Sequence, residues 1–413
     1  MATTAASQAA PPAPPPSSGR GSAEEAFELV RARRRRLWQV IAHALFVGGG
    51  LLIGWYIARP DAVAPTMLRG FGLGFILGLV FAWLLPWLVQ DKKTAPYVFV
   101  SPFFILFFTF GVFPILFSLY LSFQRWDPTT GLGGMRFAGW ERFDTSWISW
   151  LPIPGNYHYA VTDRNFGKAA WNTLFIAVAS GVPQHIIGMP LAYFFHTSYK
   201  RFRNVITGAW FLPFITSSVA ISLIFSSLFS QHFGVLNAAL DALAQIPGLG
   251  WIPHGQEGHI NWLGRAPNVK PAISFVVWWR YVGWNTVLYL SALQAISNEL
   301  FEAAEMDGAT RWQTFSRVVL PLLRPMMLFA VTLTIIGNFQ LFEEPFIITG
   351  TAAGGVEYAG MTAAMFMYRY MIEYPDEYGT ACAISWMLFI VIALLTWLNQ
   401  LIFSRYREAE GVS

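Results

Sequence analysis

Eight apolar blocks, 37–58, 70–90, 97–123, 169–195, 206–229, 272–296, 326–349 and 379–403, constrain this 413-residue chain more than any other feature. Each supplies the roughly 20 helical residues that a hydrocarbon core about 30 Å thick requires. Lipid offers the backbone no hydrogen-bond partners, so a block crossing it must satisfy its own amides, as a helix does. Only 12% of residues are charged, against 55% hydrophobic, where an ordinary soluble domain has about 25% charged. The expected fold is all-α, a polytopic helical membrane protein with about eight transmembrane helices.

The charges also orient it. Arg31, Arg33, Arg34, Arg35 and Arg36 stand directly before the first block, and with that cluster inside, 16 of the 27 Lys and Arg fall in inner segments and ten in outer ones. This asymmetry obeys the positive-inside rule and places both termini in the cytoplasm. Residues 1–36 form an Ala/Pro-rich tail, too poor in apolar residues to offset its ordering entropy, that ends in the arginine cluster. The first block is longer than the 7–15 residues of a signal-peptide core, which predicts a retained span. Blocks one and two carry Gly50 and Gly54, and Gly70, Gly74 and Gly78, at spacings that let helices approach closely. Residues 37–95 are therefore expected to be an N-terminal transmembrane hairpin, 96–405 the main transmembrane domain and 406–413 a cytoplasmic tail.

Several functions are disfavoured. The net charge is +4 and the basic residues cluster beside apolar blocks, a pattern of membrane orientation and not of nucleic-acid binding. A single cysteine, Cys382, rules out an internal disulfide or a Cys-based zinc site. His254, Glu257 and His259 match no standard metal spacing and read as a polar loop. No nucleophile, base and orienting acid stand at a readable spacing, and no phosphate-binding G-x-x-x-x-G-K-[ST] occurs, since Gly167-Lys168 continues to Ala169. The chain is expected to be no enzyme and to carry no cofactor or metal. A secondary transporter, the alternative class, would be expected to show inverted repeats, and none is visible.

The cytoplasmic segment 297–325 holds two short helical patterns hinged at Asp307-Gly308. Glu302, Ala303 and Ala304 lie in the first, where small side chains admit another surface. In the second, Trp312, Phe315 and Val319 recur at helical spacing, before Pro321 and Pro325 lead back to the membrane. Such an amphipathic pair suits either a groove on another protein or a bed of lipid headgroups.

Glu302-Ala303-Ala304, three residues, Gly308, nine residues, Val318, one residue, Leu320-Pro321 resembles the EAA loop of importer-type ABC permeases, with Val in place of the usual Ile. Phe233-Gly234-Val235-Leu236-Asn237, Leu293-Gln294-Ala295-Ile296 and Ile348-Thr349-Gly350 are similar to the carbohydrate (maltose/glycerol-phosphate-like) branch. The resemblance covers roughly 97–403. It implies a bacterial inner-membrane subunit working with a second permease subunit, a cytoplasmic ATPase dimer that hydrolyses the ATP, and a periplasmic or surface-tethered substrate-binding protein. It assigns ATPase coupling to Glu302, Ala303, Ala304, Asp307, Gly308, Leu320 and Pro321. Counted from the motif, it also places a sugar path near Ser218, Arg280, Tyr281, Trp284, Thr334 and Asn338.

Physical chemistry adds to that path. Intramembrane polar groups are costly unless paired or facing a cavity. Arg280 lies about 12 Å into its block and fits either a cavity or, if Trp278 and Trp279 mark the headgroups, an interfacial anchor. Thr334 and Asn338 share a helix face. An arginine departs from a neutral sugar pocket and allows an acidic or phosphorylated substrate, so Arg280→Gln would separate the two classes. Glu343 and Glu344 are expected to face the outer vestibule or a partner subunit.

Overall fold

The computed structural model describes residues 100, 103–142, 152–198 and 203–409. The tail 1–36 and the hairpin 37–95 lie outside the described residues, and with them the first two spans. The chain divides into two compact units, 1–115 and 116–413. In the first, a π-helical turn, Phe107–Val112, carries a ladder of phenylalanines, with the Phe103 and Phe107 rings stacked at 6.0 Å.

The regular elements among the described residues are helices apart from two small ribbons. Helix α1 (Phe113–Leu121) leads to β1 (Gln124–Arg125), which pairs antiparallel with β2 (Arg136–Phe137). Next, β3 (Trp140–Arg142) pairs with β4 (Pro152–Pro154). The helices that follow are α2 (Gly155–Thr162), α3 (Phe166–Ser198), α4 (Arg203–Ile215), α5 (Ser218–Leu228), α6 (Val235–Ala244) and α7 (Ala266–Leu293). After them come α8 (Asn298–Met306), α9 (Arg311–Leu322), α10 (Arg324–Phe339), α11 (Glu343–Thr349), α12 (Ala363–Glu373) and α13 (Tyr378–Ala409).

Three helices, Phe103–Leu121, Phe166–Thr197 and Tyr378–Phe403, are long and apolar enough to cross a bilayer, and two bent pairs raise this to five among the described residues. Helix α7, on the sixth block, has 28 residues but a more polar composition. On α13, Phe389, Ile390, Leu394, Trp397 and Leu398 are exposed, the arrangement of a helix whose outer face meets lipid.

Two blocks expected as single spans are broken. The fifth bends by 89° between α4 and α5, where Ser217 adopts extended angles and leaves the helix. The seventh is divided between α10 and α11. Pro345 has no amide to give the carbonyl of Leu341, so a continuous helix would lose a bond at this point. That carbonyl instead accepts the Thr362 hydroxyl at 2.7 Å. Gly350, at φ +69°, then closes α11 in the left-handed conformation that glycine takes without steric penalty. A further bend of 71° separates α9 from α10, where Pro325 opens the new helix.

Helices α3 and α7 form the centre. An outer core gathers Ile176, Phe225, Val269, Ile273, Val276, Val277 and Ile348, and an inner one Met189, Tyr289, Leu293, Phe315, Val319 and Leu323. Helices α7 and α4 approach so closely that a Cβ on Gly283 would lie 1.9 Å from the Trp210 carbonyl oxygen. Backbone cannot retreat as a side chain can. Gly283→Ala is expected to destabilise the chain by about 1–3 kcal/mol, measured as a lower unfolding temperature in detergent. An unchanged temperature would mean that α4 can slide away.

Candidate functional site

The helix pair of 297–325 is built by local rules. Ser217 lacks a side-chain cap on α5, whereas Ser297 caps α8, its oxygen accepting from the Glu299 amide at 3.3 Å. Helix α8 stops at Asp307, and Gly308 turns the chain at φ +74°, its amide donating to the Glu305 carbonyl at 3.0 Å. Thr310 and Gln313 then form a reciprocal capping box that starts α9. The hinge read from Asp307-Gly308 is thus a left-handed glycine between two helix signals.

One side of this pair is anchored and the other is free. Phe315 and Val319 are buried beside Tyr289 and Leu293, with Leu320 packed against them, and Tyr193 lies 5.3 Å from Phe315 ring to ring. Ala304 is buried, while Glu302, Ala303, Asp307 and Gly308 are exposed and Pro321 is half-buried. Of the apolar stripe, Phe315 and Val319 are taken by the chain's own core, while Trp312 is 69% exposed, as Met306 is at 87%. Trp312 keeps its place beside Phe315, with ring centroids 5.5 Å apart, at the exposed edge of the same face.

A second site forms where the broken helices meet α7. Arg280 pairs with Glu344 and also donates to the Tyr281 hydroxyl at 3.2 Å and the Thr216 carbonyl at 3.5 Å. Ser218 donates to Glu343. Trp284 stacks on Phe214 at 4.5 Å, and Phe211 lies 6.0 Å away. Ser218, Arg280, Tyr281 and Trp284 therefore come together around the α4–α5 break, each already in contact with protein groups.

Arg280 is no headgroup anchor. Its side chain and that of Glu344 are 13% and 3% exposed, so it is an internal cation. Glu344 correspondingly faces Arg280 and not an outer vestibule. The signal was present, because two acids inside an apolar block need a partner and Arg280 is the one Lys or Arg within the other blocks.

Thr334 and Asn338 lie on α10. Asn338 donates to the Ala177 carbonyl at 3.2 Å and the Ser180 hydroxyl at 3.1 Å, joining α10 to α3, and Thr334 stands beside Gly181. Composition did not point to Gln184 and Asn285, which are buried and bonded at 3.0 Å between α3 and α7.

The histidines of the loop before α7 diverge. His259 meets the Asp241 carboxylate at 2.9 Å, whereas His254 meets the Ile252 carbonyl at 2.6 Å. Hydrogen bonds from His259 and from the Gly255 amide hold the Asp241 carboxyl below its ordinary range. No group of three or more metal-ligating side chains occurs among the described residues.

Residues 159–408 match the family described as the binding-protein-dependent transport system inner membrane component. The chain belongs to this family. It is 29% identical to the arabinooligosaccharides transport system permease protein AraP of Bacillus subtilis, over 76% of this chain and 89% of that one. It is 30% identical to the lactose transport system permease protein LacF of Rhizobium radiobacter, over 73% and 92%. A solved bacterial ABC transporter involved in the import of the acidic polysaccharide alginate shares the fold, with a TM-score of 0.55 at 20% identity, over 78% of this chain and 96% of that one. The resemblance read from residues 302–321 is borne out at the level of the family, and a permease subunit of this kind is a multi-pass inner-membrane protein.

Proposed function

We propose that this permease forms, with a second permease subunit, the membrane path of an ATP-driven carbohydrate importer. A soluble receptor delivers the sugar, and a separate cytoplasmic ATPase dimer hydrolyses the ATP. Both termini are cytoplasmic, and lipid surrounds the outward faces of the spans. The carbohydrate assignment draws on relatives named for arabino-oligosaccharides and lactose.

The observation that carries coupling is the two-sided α8–α9 pair. Phe315 and Val319 tie it to the inner core, while Met306 and Trp312 are exposed beside Glu302 and Ala303. Large apolar side chains presented together on a polar surface suit a protein groove. A push on the hinge would pass through Phe315 and Val319 to the inner ends of α3 and α7. Ser218, Arg280, Tyr281, Trp284, Thr334 and Asn338 would line the path, with Trp284 offering an aromatic face and Asn338 an amide to sugar hydroxyls once the helices part.

The test is reconstitution with the cognate ATPase and receptor in proteoliposomes. Receptor loaded with sugar is expected to stimulate hydrolysis, and Met306→Asp with Trp312→Asp to prevent capture of the ATPase while the chain still inserts. Capture unchanged in the double variant would remove α8–α9 as the contact.

A further inference from the structure

The outer ends of α3 and α7, with the loop 354–361, line an open cavity of about 580 Å³, a volume suited to a small ligand. Lys168, Arg265 and Lys270 line it, with Glu357 as the one carboxylate. None of the three cations forms an ion pair among the described residues. The Lys168 ammonium lies over the Tyr358 ring at 5.7 Å and donates to the Glu357 carbonyl at 3.4 Å, and the Lys270 ammonium lies over Phe175 at 5.5 Å, so both charges are met by π-faces and a carbonyl and neither by a carboxylate.

This charge is held where it is unfavourable. Lys168 lies in the first turn of α3 and Arg265 immediately precedes α7, and neither helix has an acid in its first turn. Cations there oppose the positive end of the helix dipole. The third wall is fixed as well. Gly354, Gly355, Glu357 and Tyr358 all have positive φ, the last two at 54° and 62°, angles that non-glycine residues adopt only when their surroundings impose them. Asn172, 3% exposed, imposes them here by donating to the Tyr358 and Met361 carbonyls at 2.8 and 3.1 Å. At the rim Trp171 is 58% exposed, a free aromatic face of the kind that stacks on a sugar ring.

We propose that this cavity receives the carboxylate of an acidic sugar, a uronate, at the outer face, with Lys168, Arg265 and Lys270 holding the anion and Trp171 stacking on the ring. The inference rests on the carbohydrate reading above and narrows its substrate class. Arg280, ten residues and about 15 Å farther along α7, is already neutralised by Glu344, so the charge of the sugar is read at this cavity and not at the buried pair.

The test uses the full chain in phosphatidylcholine nanodiscs, with ligand-observed NMR titrations of digalacturonate and neutral digalactose. Digalacturonate is expected to bind roughly tenfold more tightly than digalactose, as charge-assisted bonds allow. Replacing Lys168, Arg265 and Lys270 together by Gln should erase that difference, and Trp171→Ala should weaken both sugars. Should the triple variant unfold, the exposed Arg265→Gln alone is expected to weaken digalacturonate about threefold and leave digalactose unchanged.

Equal binding of the two sugars by the unaltered chain, a triple variant that still prefers digalacturonate, or an undiminished preference in Arg265→Gln would overturn the proposal. So would loss of digalacturonate binding in phosphatidylglycerol nanodiscs, which would make a lipid headgroup the occupant. The carbohydrate reading fails separately, if no neutral or acidic sugar on the receptor stimulates hydrolysis by the reconstituted complex.

Discussion

Gly308→Pro is expected to abolish receptor-stimulated ATP hydrolysis while leaving the membrane helices intact. Proline holds φ near −65° and has no amide, whereas Gly308 sits at +74° and donates to Glu305. The turn between α8 and α9 would have to be rebuilt, and both faces of the pair would lose their mutual orientation. Gly308→Ala separates geometry from bulk. A Cβ there meets nothing within 4 Å, so alanine carries only left-handed strain, about 1–2 kcal/mol, and should keep most of the stimulation. Glu302→Lys, on the exposed side, should also uncouple by reversing charge at the contact. Stimulation by Gly308→Pro within a factor of about two of wild type would sink the coupling assignment.

Glu344→Gln should produce the largest loss of stability. It leaves the Arg280 guanidinium buried without its carboxylate, and breaking a buried pair from one side costs roughly 3–5 kcal/mol. Arg280→Gln should do similar damage by isolating Glu344. The double change Arg280→Met with Glu344→Met removes both charges and should recover most of the loss, since apolar replacement of a whole buried pair is often close to neutral. Thermal unfolding of the three variants in detergent decides it; a double variant no better than either single one would show that the pair is not the unit. This pairing also alters what Arg280→Gln reports. Transport would fall for neutral and anionic sugars alike, so the variant cannot separate them as the isolated residue suggested.

Much of the candidate site was legible because its signals are local. The hinge at Gly308 needs only a glycine between a helix end and a capping box, all within the seventeen residues from Ser297 to Gln313. The stripe of Trp312, Phe315 and Val319 needed only helical spacing, but which of its members the core takes and which stay exposed depends on the helices packed against it. Pro345 was visible as a helix breaker, yet the apolar run around it made the seventh block read as one span, because hydropathy counts side chains and not missing amides.

The sequence by itself determined the solvent, the helical class and the family. These follow from block length, the shortage of charge and the fixed spacing in 302–321, which survive any arrangement of the helices. Only the tertiary structure decided which polar groups meet. Arg280 and Glu344 are 64 residues apart, Asn338 and Ala177 are 161 apart, and Asn172 reaches Tyr358 across 186. Hydropathy says that each such group needs a partner in an apolar surrounding, but the partner is chosen by how α3, α7, α10 and α11 pack and where their helices break. The cavity near Lys168, Arg265 and Lys270 belongs to the same class, since it exists only where two helix ends and a distant strained loop converge.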